Sequence, residues 1–413
     1  MPEFGRDLDA ITFPLIGNSL VIGLFSLLHI SFAGLAVGFM VLAPLLEAAE
    51  RVNRVYADFS RSLTRFTIIT FSASTVLAVI MVELSIGLFP LTTMWMWNQF
   101  RLPILLAIVA FFLQLAVLYP YYHYWDSIRQ RHRRLHILLG FLAGFFVLIW
   151  VVILDGMGSA MLTPDTSGGP WARLRNPTWA PLVLHRFFGN LVLAGFAMAG
   201  YAGWGLKKRE GHADQSYYLH LLRTGSLIGL LSLILQPLTG LLYASQIEQA
   251  VPLAYAQLTQ GPYRGFLYVQ FVLIVWLFGG SLLLLHSTQS PPPSSPSYGV
   301  LTTAMFCAFL IVVFAAHPSI RRPLTFVLVA LIIWCVYRWR DALTDVPKDD
   351  VNRPLVRRLA VMMGVVSLLT YLTMGTIRET ARRPDTVRGV ISLQDEVQQP
   401  AADRESNERS PKF

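Results

Sequence analysis

The chain has 413 residues, 54% of them hydrophobic and only 14% charged, with a mean hydropathy of +0.53. That balance excludes an ordinary soluble domain and predicts an all-α polytopic membrane protein. The net charge of +9 does not point to nucleic acid, because the basic residues fall mostly in short loops between apolar runs.

The N-terminus, MPEFGRDLDA, has neither a basic region nor a cleavage signature, so the first apolar run is expected to stay as a helix. About ten transmembrane helices are predicted, at 12–46, 66–90, 102–122, 136–162, 181–206, 220–245, 263–287, 298–316, 322–338 and 358–377. Arginines and lysines crowd the loops 47–65, 123–135 and 207–219 and the segment 338–358. All four share one side if both termini lie outside, and that side is then cytoplasmic. The expected location is a bacterial inner membrane, with both termini periplasmic. The Pro/Ser-rich stretch STQSPPPSSP separates a bundle over 1–290 from three further helices over 291–377. Residues 378–413 read as a polar, disordered tail. Cys307 and Cys335 sit inside apolar runs and indicate neither a disulfide framework nor a CxxC metal site.

Ionisable residues inside these runs are the candidates for chemistry, because burying them in a membrane is costly. His29 lies mid-way along the first span, on a face with Ser19, Gly23, Ser26, Ala33, Ala36 and Met40. A lone imidazole among small side chains leaves room for a haem, although small residues also serve close helix packing. Glu83 in the second span and Asp155 near the end of the fourth are candidate proton-relay groups or haem-propionate neighbours. His185 opens the fifth span beside Arg186, with Gly189 one turn on. An imidazole supplies an axial bond, and a glycine lets a flat macrocycle approach the backbone. A hydrogen-bonded interfacial histidine is the competing reading. His317, at the end of the eighth span, is a possible partner for His185 by depth. His123, His132, His136, His212, His220 and His286 fall at cytoplasmic helix ends or loops, where most are expected to be solvated. Glu379, among Arg378, Arg382 and Arg383, reads by itself as half of a surface ion pair.

Four stretches resemble subunit I of the cytochrome bd-type quinol oxidases: LLHISFAGLAVGFMVLAPLLEAAE, the run from VELSIG through QFRLPILLAIVAFFLQ to WVVILDGMGSAMLTP, LHRFFGNLVLAGFAMAGYAGW, and RETARRPDTVRGV. The resemblance implies a haem-binding helical bundle, with His29 ligating a high-spin haem, His185 a low-spin haem and Glu379 a second high-spin haem. One to three haems b are expected, and a quinone is a further expectation. Three departures stand out. Where the family's third helix carries two carboxylates for proton delivery, PILLAIVAFFLQ offers Ala107 and Gln114. Only Gln246 to Tyr263 separate the sixth and seventh spans, where the family has a long quinol-binding loop. Gln270 and Val272 stand near the position of the family's axial methionine, which leaves His317 as a substitute.

The expected function is therefore a haem b electron-transfer subunit of a respiratory complex. It would pass electrons between quinol or a redox partner and a c-type cytochrome or Fe–S protein. The expected partners are other membrane and periplasmic redox subunits and the lipid bilayer. A divergent quinol oxidase that reduces oxygen, and a haem-free structural or transport subunit, are the alternatives. No clear internal repeat supports transport.

Overall fold

The computed structural model describes residues 10–13, 15–165, 167–208, 212–288 and 353–396, together with Pro323, Phe326 and Ala330. Among these, the long helices are α1 (Asn18–Ala48), α2 (Val55–Leu88), α3 (Pro90–His123), α4 (Trp125–Ala160), α6 (Trp179–Lys208), α7 (His212–Ala250), α9 (Arg264–Ser287) and α10 (Arg353–Thr380). Two short ones, α5 (Pro170–Leu174) and α8 (Pro252–Gln260), lie in the connections. All eight long helices are long and apolar enough to cross a membrane. The expected span 298–316, with His317, Cys307 and Cys335, lies outside the described residues. So does 322–338, but for the three residues named.

Helix starts follow local chemistry. Proline occupies the first position of α3, α5 and α8, where its missing N–H is no loss. Asn53 accepts a hydrogen bond from the Val55 amide at 3.1 Å and opens α2. Helices α2, α3 and α4 begin ten or more residues before the expected spans, because polar and arginine-bearing turns continue the helix beyond the apolar run. α3 kinks at Phe100, three residues before Pro103.

α6 is the central element and packs against α7, α10, α1 and α4. Its seam with α7 depends on missing side chains. A Cβ on Gly195 would stand 2.5 Å from the Gly229 nitrogen and 2.8 Å from the Gly225 oxygen, so the two backbones touch only because these positions are glycine. Phe196, Leu222, Leu230, Leu277 and Met363 are fully buried around that seam.

The start of α1 meets the end of α2, where the Ile11 amide donates to the Gly87 carbonyl at 2.9 Å. α6 begins at the same end of the bundle, and α4 and α10 finish there: the Trp179 indole donates to the Val152 carbonyl at 3.0 Å, and the Arg388 amide to the Met161 carbonyl at 3.0 Å. This is the His185 end. The opposite one, where α1 finishes, is the Glu47 end.

The expected disordered tail needs correcting over its first part. Residues 381–396 fold as a turn and an antiparallel hairpin, β1 (Asp385–Val387) with β2 (Ile391–Ser392). Gly389 supplies the positive φ at the turn. The hairpin ends on Glu396, only 2% exposed, whose carboxylate accepts from the Leu91 and Thr92 amides at 3.1 and 2.8 Å. The free N–H groups at the start of α3 are thus capped from 300 residues away. Residues 397–413 lie outside the described residues.

Candidate functional site

His185 sits in the second turn of α6, against α7 and α10. Its Nδ1 lies 3.3 Å from the Thr239 hydroxyl oxygen. That hydroxyl donates its own proton to the backbone carbonyls of Leu235 and Gln236, both at 3.1 Å. A neutral imidazole carries one ring proton, which serves either the Nδ1 contact with Thr239 or the Nε2 contact with Met374. Nε2 faces the Met374 sulfur of α10 at 3.2 Å. Two glycines flank the pair: a Cβ on Gly240 would come 3.1 Å from the ring, and one on Gly189 would meet the Gln236 amide at 2.7 Å and Met374 Cε at 3.5 Å. Gln236 also donates to the His185 carbonyl at 2.8 Å and holds α7 against α6.

Charge surrounds this pair. Asp155 is fully buried and pairs through Oδ1 with Arg186, while its Oδ2 has no hydrogen-bond partner among the described residues. Tyr371 donates to Asn190 at 2.7 Å beside them. A Cβ on Gly158 would collide with the Arg378 guanidinium, which therefore lies directly on α4. Arg382 pairs with Glu379 and donates to the Met161 sulfur and the Thr386 carbonyl, both at 3.0 Å.

His29 is a second site on the same half of α1. Its Nδ1 lies 2.9 Å from the Ser74 carbonyl of α2, with the Ser74 hydroxyl at 3.3 Å. A carbonyl can only accept, so Nδ1 carries the proton and Nε2 is left as the free donor atom. His29 is thus fixed in the tautomer that an iron ligand needs, and Thr239 stands where it can give His185 the same outer hydrogen bond. Among the described residues no three of His, Cys, Asp and Glu converge to hold a bare metal ion. Single nitrogen and sulfur donors suit an iron already held in a macrocycle, and His with Met is a low-spin ligand set. Glycines beside the ring, and cations near a carboxylate with a spare oxygen, fit a flat group that carries acidic side chains. The residues present fit a haem.

The expected site residues fare unequally. His185, Arg186, Gly189 and Asp155 come together. Glu83 has an exposed side chain on α2. Glu379 has a side chain 55% exposed and engaged by Arg382. Gln114 is fully buried, accepts from the Trp150 indole at 2.6 Å and donates to the Met40 sulfur at 3.4 Å. Gln270 bonds Thr373 and Val272 is exposed, so neither faces His185. The sulfur that faces His185 is that of Met374, a residue the sequence did not single out. It is 189 residues from His185, and a methionine in an apolar helix reads as packing. A usable signal existed: Tyr371, Met374 and Arg378 share one helical face. His136 is also corrected. It is fully buried and bonded to Glu47 rather than solvated.

A family model described as cytochrome bd terminal oxidase subunit I matches residues 20–277, well over half of the chain. No curated protein sequence matches it. Among solved structures it is similar to the bd oxidase from Geobacillus thermodenitrificans, at 15% identity and a TM-score of 0.65, with 94% of this chain and 92% of that chain covered. At that identity the likeness establishes the helical membrane fold. The family match supplies the rest: this integral membrane protein belongs to the cytochrome bd terminal oxidase subunit I family.

Proposed function

We propose that the chain is the haem b-carrying electron-transfer subunit of a bd-type membrane complex in the bacterial cytoplasmic membrane. The observation that carries this is the His185–Met374 pair, with Nδ1 beside the Thr239 hydroxyl and Nε2 facing the sulfur. In this reading His185 and Met374 hold a low-spin haem and His29 holds a second. A bound haem would supply one-electron exchange at its iron. The chain's own residues do the rest: Thr239 and Ser74 fix the imidazoles, Arg186 and Arg378 neutralise acidic substituents, and Asp155 keeps the two cations from facing each other unpaired.

Electrons would enter at the His185 end from quinol or from an outer redox subunit such as a c-type cytochrome or an Fe–S protein. The arginine-rich loops support placing the Glu47 end in the cytoplasm. Gln114 supports electron transfer as the primary role, because a neutral amide held by Trp150 and Met40 cannot ionise to deliver protons. Oxygen reduction at His29 is the second reading. It is favoured by the one-sided donor arrangement there: among the described residues Nε2 has no hydrogen-bond partner, and Nδ1 alone is engaged. Glu379 is a weaker third ligand, since Arg382 already holds it.

The test is a dithionite-reduced minus oxidised spectrum of the purified complex, with and without carbon monoxide. Low-spin b bands lost in His185→Ala are expected. An unchanged spectrum in that variant would overturn the assignment. A carbon monoxide shift abolished by His29→Ala would make oxygen reduction the primary role.

A further inference from the structure

A groove opens on the outer surface of the bundle at the His185 end, between α3 and α4 and beside α5. It holds about 820 Å³, inside the roughly 300–1,000 Å³ of small-molecule sites. Val152, Ile149 and Phe145 follow down α4 at steps of three or four residues, so one apolar wall runs two turns, about 10 Å. Leu106 of α3 faces the groove from the other side, and it and Phe145 remain exposed.

Packing fixes this shape. The Trp179 indole donates to the Val152 carbonyl at 3.0 Å and pins one wall. Leu174 is buried, and a Cβ on Gly156 would stand 2.6 Å from its Cγ, so α5 rests directly on α4. Asn176 donates to the Gly156 and Leu174 carbonyls at 3.3 and 3.2 Å, and Arg173 donates to Gln99 of α3. α5 is thereby clamped across the ends of both helices.

The mouth is polar where the walls are not. Of the lining residues only Arg175 is charged. It is exposed, its Nε donates to the Trp171 carbonyl at 3.2 Å, and among the described residues it has no ion-pair partner. Trp171 and Trp179 stand at the same end. Indoles favour the depth of lipid headgroups, and an arginine there carries its cation to the level of the phosphates. A planar guanidinium meets a phosphate through paired N–H donors.

We propose that this groove binds one anionic glycerophospholipid of the leaflet at the His185 end, with its phosphate on Arg175 and an acyl chain along Val152, Ile149 and Phe145. Other occupants fit less well. A partner's transmembrane helix would have to leave the membrane past α5, which crosses that end of the groove. A quinone head needs groups that exchange protons with its oxygens, and the one titratable lining residue, Arg175, keeps its proton. The proposal concerns the surrounding bilayer and stands apart from the haem reading.

The test is native mass spectrometry of the purified complex after detergent exchange, with phosphatidylglycerol or phosphatidylcholine of identical chains added back. The parent is expected to hold one phosphatidylglycerol that Ile149→Trp, whose larger side chain fills the groove, does not. It should prefer phosphatidylglycerol to phosphatidylcholine about five- to tenfold at that site, and Arg175→Gln should erase the preference. Arg175 is exposed, so this variant should keep the parent's thermal midpoint. Arg264→Gln, an exposed arginine at the same end on α9, should keep the parent preference. Equal retention of both lipids by the parent, an undiminished preference in Arg175→Gln, or the same loss in Arg264→Gln overturns the proposal. A quinone retained in place of the phospholipid overturns it as well.

Discussion

His185 and Met374 show how a single side chain acquires a role from its surroundings. Thr239 stands at Nδ1, Gly240 clears one flank, and α10 brings the sulfur to Nε2. Met374→Leu keeps the volume but removes the donor atom. It should convert the low-spin b signal into a high-spin, carbon monoxide-reactive one, read by difference spectroscopy, at unchanged haem content. Asp155 acts differently, through charge. Asp155→Asn leaves the half-buried Arg186 without its counter-ion, which costs about 1–3 kcal/mol. A fall in the thermal midpoint in detergent should report it, and Asp155→Glu should recover part of the loss.

Among the elements, the C-terminal hairpin depends most on one contact. Glu396→Ala removes the carboxylate that caps α3 and should weaken hairpin docking by about 1–2 kcal/mol, seen as faster hydrogen exchange across 381–396. Burial pushes the Glu396 carboxyl above the ordinary glutamate range, against the pull of the Thr92 and Leu91 donors. The folded state therefore binds its proton more tightly than the unfolded one does. Docking is firmest below the ordinary glutamate pKa and loosens as pH rises through the raised value. Glu396→Gln should abolish that pH dependence in the exchange rates. The α6–α7 seam is the other sensitive element. Gly195→Val would force a branched side chain against the Gly229 backbone, part the helices, and remove the low-spin signal with them.

At the scale of the whole molecule, the distribution of arginines sets the orientation. The connection between α3 and α4 is expected in the cytoplasm. Ser127→Cys, in a background with Cys307 and Cys335 replaced by serine, should react with a membrane-impermeant maleimide only after the cells are permeabilised. Labelling of intact cells would reverse the placement of both ends. The two candidate redox sites and the C-terminal hairpin all gather at the His185 end, whereas the buried Glu47–His136 pair lies at the other.

Much of this was legible from residue order alone. Apolar runs must span a bilayer, so the described spans overlap the predicted ones, with early starts in α2, α3 and α4 and a later start in α1. His29 and His185 stood out because an imidazole in such a run is expensive. Local pattern also flagged Arg186, Gly189 and Asp155. Only packing could reveal the rest. Met374 pairs with His185 across 189 residues, Glu396 caps α3 across 305, and Glu47 finds His136 across 89. Glu83 and His136 went the other way, one exposed on its helix and one buried, because which face of a helix meets a neighbour depends on the neighbours. The membrane dictates which segments become helices and is written in local hydropathy. Which side chains meet inside the bundle is a property of the assembled helices, and there the chemistry was decided.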